Sequence, residues 1–141
     1  AELRALADAL GLEGAFEFLP VTEHPEQAMR SLDLVVNAST RPEPFGRTIV
    51  EGMACERPVL APATGGPLEI VDQGMTGWLF PPRDVEGLAH AIHAAAVCTP
   101  AEREEMGKRA RAAVEARFTR QQLGRTLLLA YDRCTGPRAP V

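Results

Sequence analysis

Cysteine, tryptophan, tyrosine and lysine are all scarce in this chain. Three cysteines, one tryptophan, one tyrosine and a single lysine stand among 141 residues. Cys55, Cys98 and Cys134 are odd in number, far apart and form no CxxC pair, so neither a zinc knuckle nor a disulfide scaffold is indicated and a reducing, cytoplasmic setting is expected. No apolar run approaches the ~20 residues that span a bilayer, and no secretory leader is visible. Any membrane contact is therefore expected only through parts outside these residues. No Lys/Arg stripe exists either. The net charge is −4, and basic residues are interleaved with acids, as in Glu102-Arg103-Glu104-Glu105, the pattern of a solvated helix face. A nucleic-acid partner is not expected. Internal repeats and low-complexity tracts are missing as well.

What is present is an ordinary globular composition, 45% hydrophobic and 24% charged, long enough to bury one core. Helical spacing of Leu3, Leu6, Ala7 and Leu10 predicts a helix over 2–10 that Gly11 can close. Residues 15–19 (AFEFL) read as a short strand. Pro25 suits the first turn of a helix over 25–32. Leu34-Val35-Val36 and 58–61 (PVLA) are short continuous apolar runs of the kind buried on both faces of a parallel sheet. Helices are predicted over 48–54 and from Pro67, and a strand over 78–80. Asp84 can cap a helix whose apolar stripe is Val85, Leu88, Ala89, Ile92 and Ala96. Thr99-Pro100-Ala101-Glu102 is a capping box, and Thr119 to Gln122 repeats its logic before Leu123, Leu127 and Ala130. Strands alternating with helices predict a doubly wound, Rossmann-like α/β domain over 1–134, with several helices at its end and a flexible tail over 135–141.

In such sheets ligands bind beyond the carboxyl ends of the strands, which selects two loops, 37–47 and 62–67. In the first, Gly46 lets backbone amides approach a ligand without a Cβ in the way. The amides then belong to a helix N-terminus, whose free N–H groups and positive dipole end suit phosphate. Glu43 precedes the helix and Glu51 lies one turn inside it, where a carboxylate can accept hydrogen bonds from a vicinal diol such as a ribose. Acids at both ends of a loop and helix start thus suit a sugar diphosphate.

Glu43 to Glu51 resembles the E-x7-E signature of the large family of retaining glycosyl transferases of group 1. Gly52-Met53-Ala54-Cys55 with Pro58-Val59-Leu60-Ala61, Thr64-Gly65-Gly66 with Glu69-Ile70-Val71, the stretch from Gly74 to Pro82, and Arg117-Phe118-Thr119 resemble further motifs in the family's order and spacing. The resemblance implies the C-terminal, donor-binding half of a GT-B architecture, in which two Rossmann-like domains face each other across a cleft. It implies a hexosyl transferase that uses a nucleotide-diphosphate sugar with retention of configuration, acts without a metal or other cofactor, and depends on an N-terminal acceptor-binding domain missing from these residues. It assigns Glu43 to the transferred sugar as the catalytic residue, and Glu51 to the ribose. Phe45, Gly46, Arg47 and Thr48 fall to sugar hydroxyls and diphosphate, Gly65 and Gly66 to the cleft, and residues 19–22 to the base. The family's first strand and its phosphate-binding Arg and Lys would lie upstream of Ala1, so the fragment by itself is expected to be inactive. Pro20 and Glu56 stand where the family has glycine, and Pro67-Leu68 replaces its Val-Pro order.

Plainer roles are expected elsewhere. His90 and His93 lie off the main apolar stripe and are solvent-facing, His24 starts a helix, Cys55 and Trp78 are core, and Asp72 and Asp84 are turn or cap residues. Arg47 suits a phosphate partner and an exposed surface position equally. The rival reading is a non-catalytic nucleotide-binding or receiver-like α/β module. A receiver would want clustered acids after its first strand and a lysine near its fifth, whereas the only lysine, Lys108, lies in a charged helix.

Overall fold

Three short parallel strands carry the molecule. A computed structural model of the chain describes residues 2–12 and 14–136. The elements are α1 (Glu2–Ala9), α2 (Pro25–Arg30), β1 (Val35–Val36), α3 (Arg47–Ala54), β2 (Val59–Pro62), α4 (Pro67–Ile70), β3 (Gly77–Phe80), α5 (Val85–Val97), α6 (Pro100–Arg117) and α7 (Arg120–Thr135). The sheet order is β1-β2-β3, every pairing parallel, with Val35 opposite Val59 and Leu60 opposite Trp78. Parallel neighbours need a crossover, and α3 and α4 fall between successive strands, as the βαβ pattern demands.

Alternation along β2 sorts the core into two layers. Val59 and Ala61 face α3, α4 and α6 through Ile49, Met53, Ile70, Ala110 and Val114. Leu60, with Trp78 and Phe80, faces α5 and Met106. A strand covered on both sides must be apolar throughout, which is why the PVLA run does not alternate. Burying Ile49, Met53, Leu60 and Ile70, each under 2% exposed, contributes about 1.5–3 kcal/mol apiece. Two glycines let the helices come this close. A Cβ on Gly52 would press on the Val35 side chain, and one on Gly107 would run into the Glu56 carbonyl.

The caps follow the sequence. Asp84 accepts from the Gly87 amide, Thr99 and Glu102 form the reciprocal capping box, and Thr119 accepts from the Gln122 amide. Glu102's carboxyl is held below its ordinary value by the Thr99 amide and then the Thr99 hydroxyl. Glu56 sits at φ +60, which explains a glycine preference there; its carboxylate lies 3.2 Å from Arg111.

Three expectations change. Residues 15–19 form no strand, because β1 pairs only with β2 and no ladder reaches this segment, leaving Phe16, Phe18 and Leu19 exposed. The face of α5 is rotated. Ala91 and Ala95 are buried while Val85 and Ile92 are exposed, since alanines let the helix approach the sheet where bulkier side chains would hold it off. The tail expected over 135–141 does not include Thr135, which α7 takes up as its last residue; residues 137–141 lie outside the described ones. No helix among the described residues is long and apolar enough to cross a membrane.

Candidate functional site

Parallel strands put their carboxyl ends on one edge, so the loops after β1, β2 and β3 meet there. The first loop is fixed along its length. Asn37 donates its amide to the Leu60 carbonyl at 2.8 Å, and its side chain accepts from the Ser39 amide at 2.9 Å, an Asx turn that starts the loop. Arg83, at φ +62 in the turn after β3, reaches 43 residues back to donate to the Thr40 carbonyl at 3.2 Å.

The second loop is zipped to the first. Glu43 and Gly65 form a parallel bridge, and the Gly66 amide donates to the Glu43 carbonyl at 2.8 Å. A Cβ on Gly65 would collide with the Glu43 carbonyl, and one on Gly66 with the Phe45 carbonyl. Gly65 also has φ +65, so both shape and conformation require glycine, whereas at Gly66 space alone does. The motif points this pair to the lining of the cleft, and the contact between the loops comes in addition. The signal was a Gly-Gly dipeptide after a buried strand, but the position of its partner loop cannot be read from spacing.

Gly46 is the N-cap of α3 at φ +99, ψ 54, a conformation L side chains rarely adopt. Its amide donates to Glu43 Oε1 at 3.3 Å, and its carbonyl accepts from the amides of Ile49 and Val50. The amides of Arg47 and Thr48 take no partner among the described residues, so two donors stay open at the positive end of α3. The Arg47 guanidinium is exposed and pairs along the helix with Glu51 Oε1 at 3.3 Å. Glu51 is half-buried and borders a groove of 360 Å³ between α2 and α3, lined by Pro25, Glu26, Met29, Arg30, Ala54 and Cys55. Thus Glu43, Gly46, the α3 amides, Gly65 and Gly66 come together, and Glu51 lies one turn on, over the α2–α3 groove. Phe45 is turned outward and is 45% exposed.

The plainer expectations hold for several residues. Trp78 and Cys55 are buried, His90 and His93 are exposed, and His24 is the N-cap of α2 with its ring 3.5 Å from Glu26. Asp72 closes a turn with Thr76, whose hydroxyl accepts from the Asp72 amide. A concavity of 660 Å³ beside Glu2, Leu3, Arg4 and Phe18 lies on the α1 flank, away from the two loops.

Residues 1–113 match the profile of the family described as glycosyl transferases group 1. A D-inositol 3-phosphate glycosyltransferase of Mycobacterium bovis is 37% identical over 134 residues, which is 93% of this chain but 28% of that protein. Among solved structures, the Anabaena protein HepE in complex with UDP and glucose is 36% identical, with a TM-score of 0.81 over 91% of this chain and 36% of that one. A glycosyltransferase from Rickettsia africae superposes with a TM-score of 0.86 at 25% identity, over 97% of this chain and 36% of that one. The chain therefore spans 28% of that curated relative and 36% of each of these two solved structures.

Proposed function

Because the chain belongs to the glycosyl transferases of group 1, we propose that it is the donor-binding half of an enzyme that moves a hexosyl group from a nucleotide sugar to an acceptor with retention of configuration. The observation that carries this reading is the juncture of the two zipped loops with the open N-terminus of α3. In this reading the amides of Arg47 and Thr48 receive the diphosphate, whose charge the helix end favours. Glu51 accepts from the ribose hydroxyls at the mouth of the α2–α3 groove. The base lies toward residues 19–22. Glu43 faces the transferred sugar, with Gly46, Gly65, Gly66 and the backbone of Phe45 forming the floor beneath it.

The chemistry asked of the site is mainly electrostatic. As the bond from the anomeric carbon to the diphosphate oxygen lengthens, charge grows on the leaving group, and amides already aimed at it stabilise that charge without reorganising. The acceptor oxygen attacks from the same face, and the departing diphosphate takes its proton, so configuration is retained. No resident metal is assigned, because helix-end donors and basic residues take that role. The acceptor site is assigned to a second domain outside these residues, and the 141 residues alone are expected not to turn over.

The test is calorimetric titration with UDP and UDP-glucose of the natural protein that carries this chain. UDP is the first probe because the HepE structure holds it. Glu51→Ala is expected to weaken binding by roughly 10- to 100-fold, the loss for hydrogen bonds to a charged group, and EDTA to leave the titration unchanged. Unaltered binding by the Glu51 variant would sink the assignment of the ribose site.

A further inference from the structure

The Arg117-Phe118-Thr119 motif lies at the far end of α6, outside the two loops, yet it touches the first of them and the helix that follows the second. The Phe118 ring stands edge-to-face on Phe45, centroids 5.7 Å apart at 76°. The Arg117 guanidinium lies over the opposite partner of that stack, 4.9 Å from the Phe118 centroid, and donates to the Glu69 carbonyl in α4. Phe118 is anchored in turn. Its amide donates to the Val114 carbonyl at 2.8 Å as the C-cap of α6, and its side chain packs on the core layer that holds Ile49 and Ile70. Phe45 has no such anchor: it is 45% exposed and its carbonyl rests on Gly66, where no Cβ fits.

We propose that Arg117 and Phe118 are positioning residues. They form a brace that holds Phe45 and α4 from outside and so fixes the backbone that presents Gly46 and the open α3 amides. The zip between Glu43 and Gly66 sets the register of the two loops but leaves Phe45, two residues past it, free to swing. The aromatic contact removes that freedom, and the Arg117 bond ties the second loop's helix to the same point. An off-site pair thereby sets the geometry of two loops at once. Its consequence for a nucleotide rests on the donor-site reading above, whereas the brace itself is a property of the polypeptide.

Amide hydrogen exchange in the natural protein tests the brace without any ligand. Phe118→Ala is expected to speed exchange by about tenfold at the hydrogen-bonded amides of Gly46, Ile49 and Val50, since a local opening is made easier. Phe118→Tyr, which keeps the ring, restores the slow rate. Phe118→Leu keeps apolar bulk without the ring and serves should the alanine variant fold poorly; it is expected to show the same fast loop. Val114→Ala removes bulk from the same core layer one turn earlier and is the control for general loosening. Unchanged exchange at these three amides in both the alanine and leucine variants, or an equal rise in Val114→Ala, overturns the proposal. Titration with UDP then separates the two readings. A loss of about fivefold in affinity for Phe118→Ala, the size of one aromatic contact, joins brace to donor site. If exchange responds as described while the unsubstituted protein takes up neither UDP nor UDP-glucose, the brace stands and the donor assignment falls.

Discussion

The body from Leu34 to Phe118 and its two flanks carry similar apolar patterns and meet different fates. In the body, Ile49, Met53, Val59, Leu60 and Ile70 are sealed between sheet and helices. In α1, Leu3 and Leu6 are 67% and 54% exposed, and in α7 Leu123, Leu127 and Leu128 are about as open. Neither flanking helix buries a single residue. Periodicity therefore announces a face that wants covering, and only a tertiary partner decides whether it is covered.

The comparison makes a steep prediction about stability. In chemical unfolding of the natural protein, Ile49→Ala should cost about 2–5 kcal/mol, because the site is closed on every side and cannot collapse to fill the void. Gly66→Ala should cost about 1–3 kcal/mol by driving the two loops apart, and UDP binding should fall with it; Gly124→Ala, with open space around it, should instead gain up to about 1 kcal/mol of helix propensity. A smaller effect, about 0.5–1 kcal/mol of stabilisation, is expected for Glu56→Gly, where relief of the left-handed backbone outweighs an exposed ion pair. Leu6→Ala and Leu127→Ala should change stability by less than about 0.5 kcal/mol if the flanks are as uncovered in the natural protein as they are here. A cost of several kcal/mol at either leucine would reveal a covering partner and erase the contrast.

The smallest effect is one of pH. Glu102's pKa is lowered in the folded chain, so its capping contribution is present above the ordinary carboxyl value and is lost as pH falls through and below the depressed one. The melting temperatures of the unsubstituted protein and Glu102→Gln should differ at neutral pH and converge in acid.

Most of the body was legible from the sequence for identifiable reasons. Short continuous apolar runs mark strands covered on both faces, and Asp84, Thr99 and Thr119 announce helix starts through side chains whose partners lie three residues away. Glu43, Gly46 and Glu51 were legible because a loop, a glycine and a helix start are adjacent in sequence. What could not be read depends on distant partners. The failed strand over 15–19 lacked a neighbour, not propensity. The face of α5 was chosen by how closely small side chains let it settle on the sheet. The bracing of Phe45 by Phe118 joins residues too far apart for any spacing rule.

The carbonyl-to-amide seam between Glu43 and Gly66 is indifferent to side-chain identity. Residues such as Pro44, Thr48 and Leu68 can change without unpicking it, while neither glycine beneath it can. On the proposed donor-site reading, a site stitched in this way can alter which sugar or base it prefers and still keep the cradle in which any of them would lie.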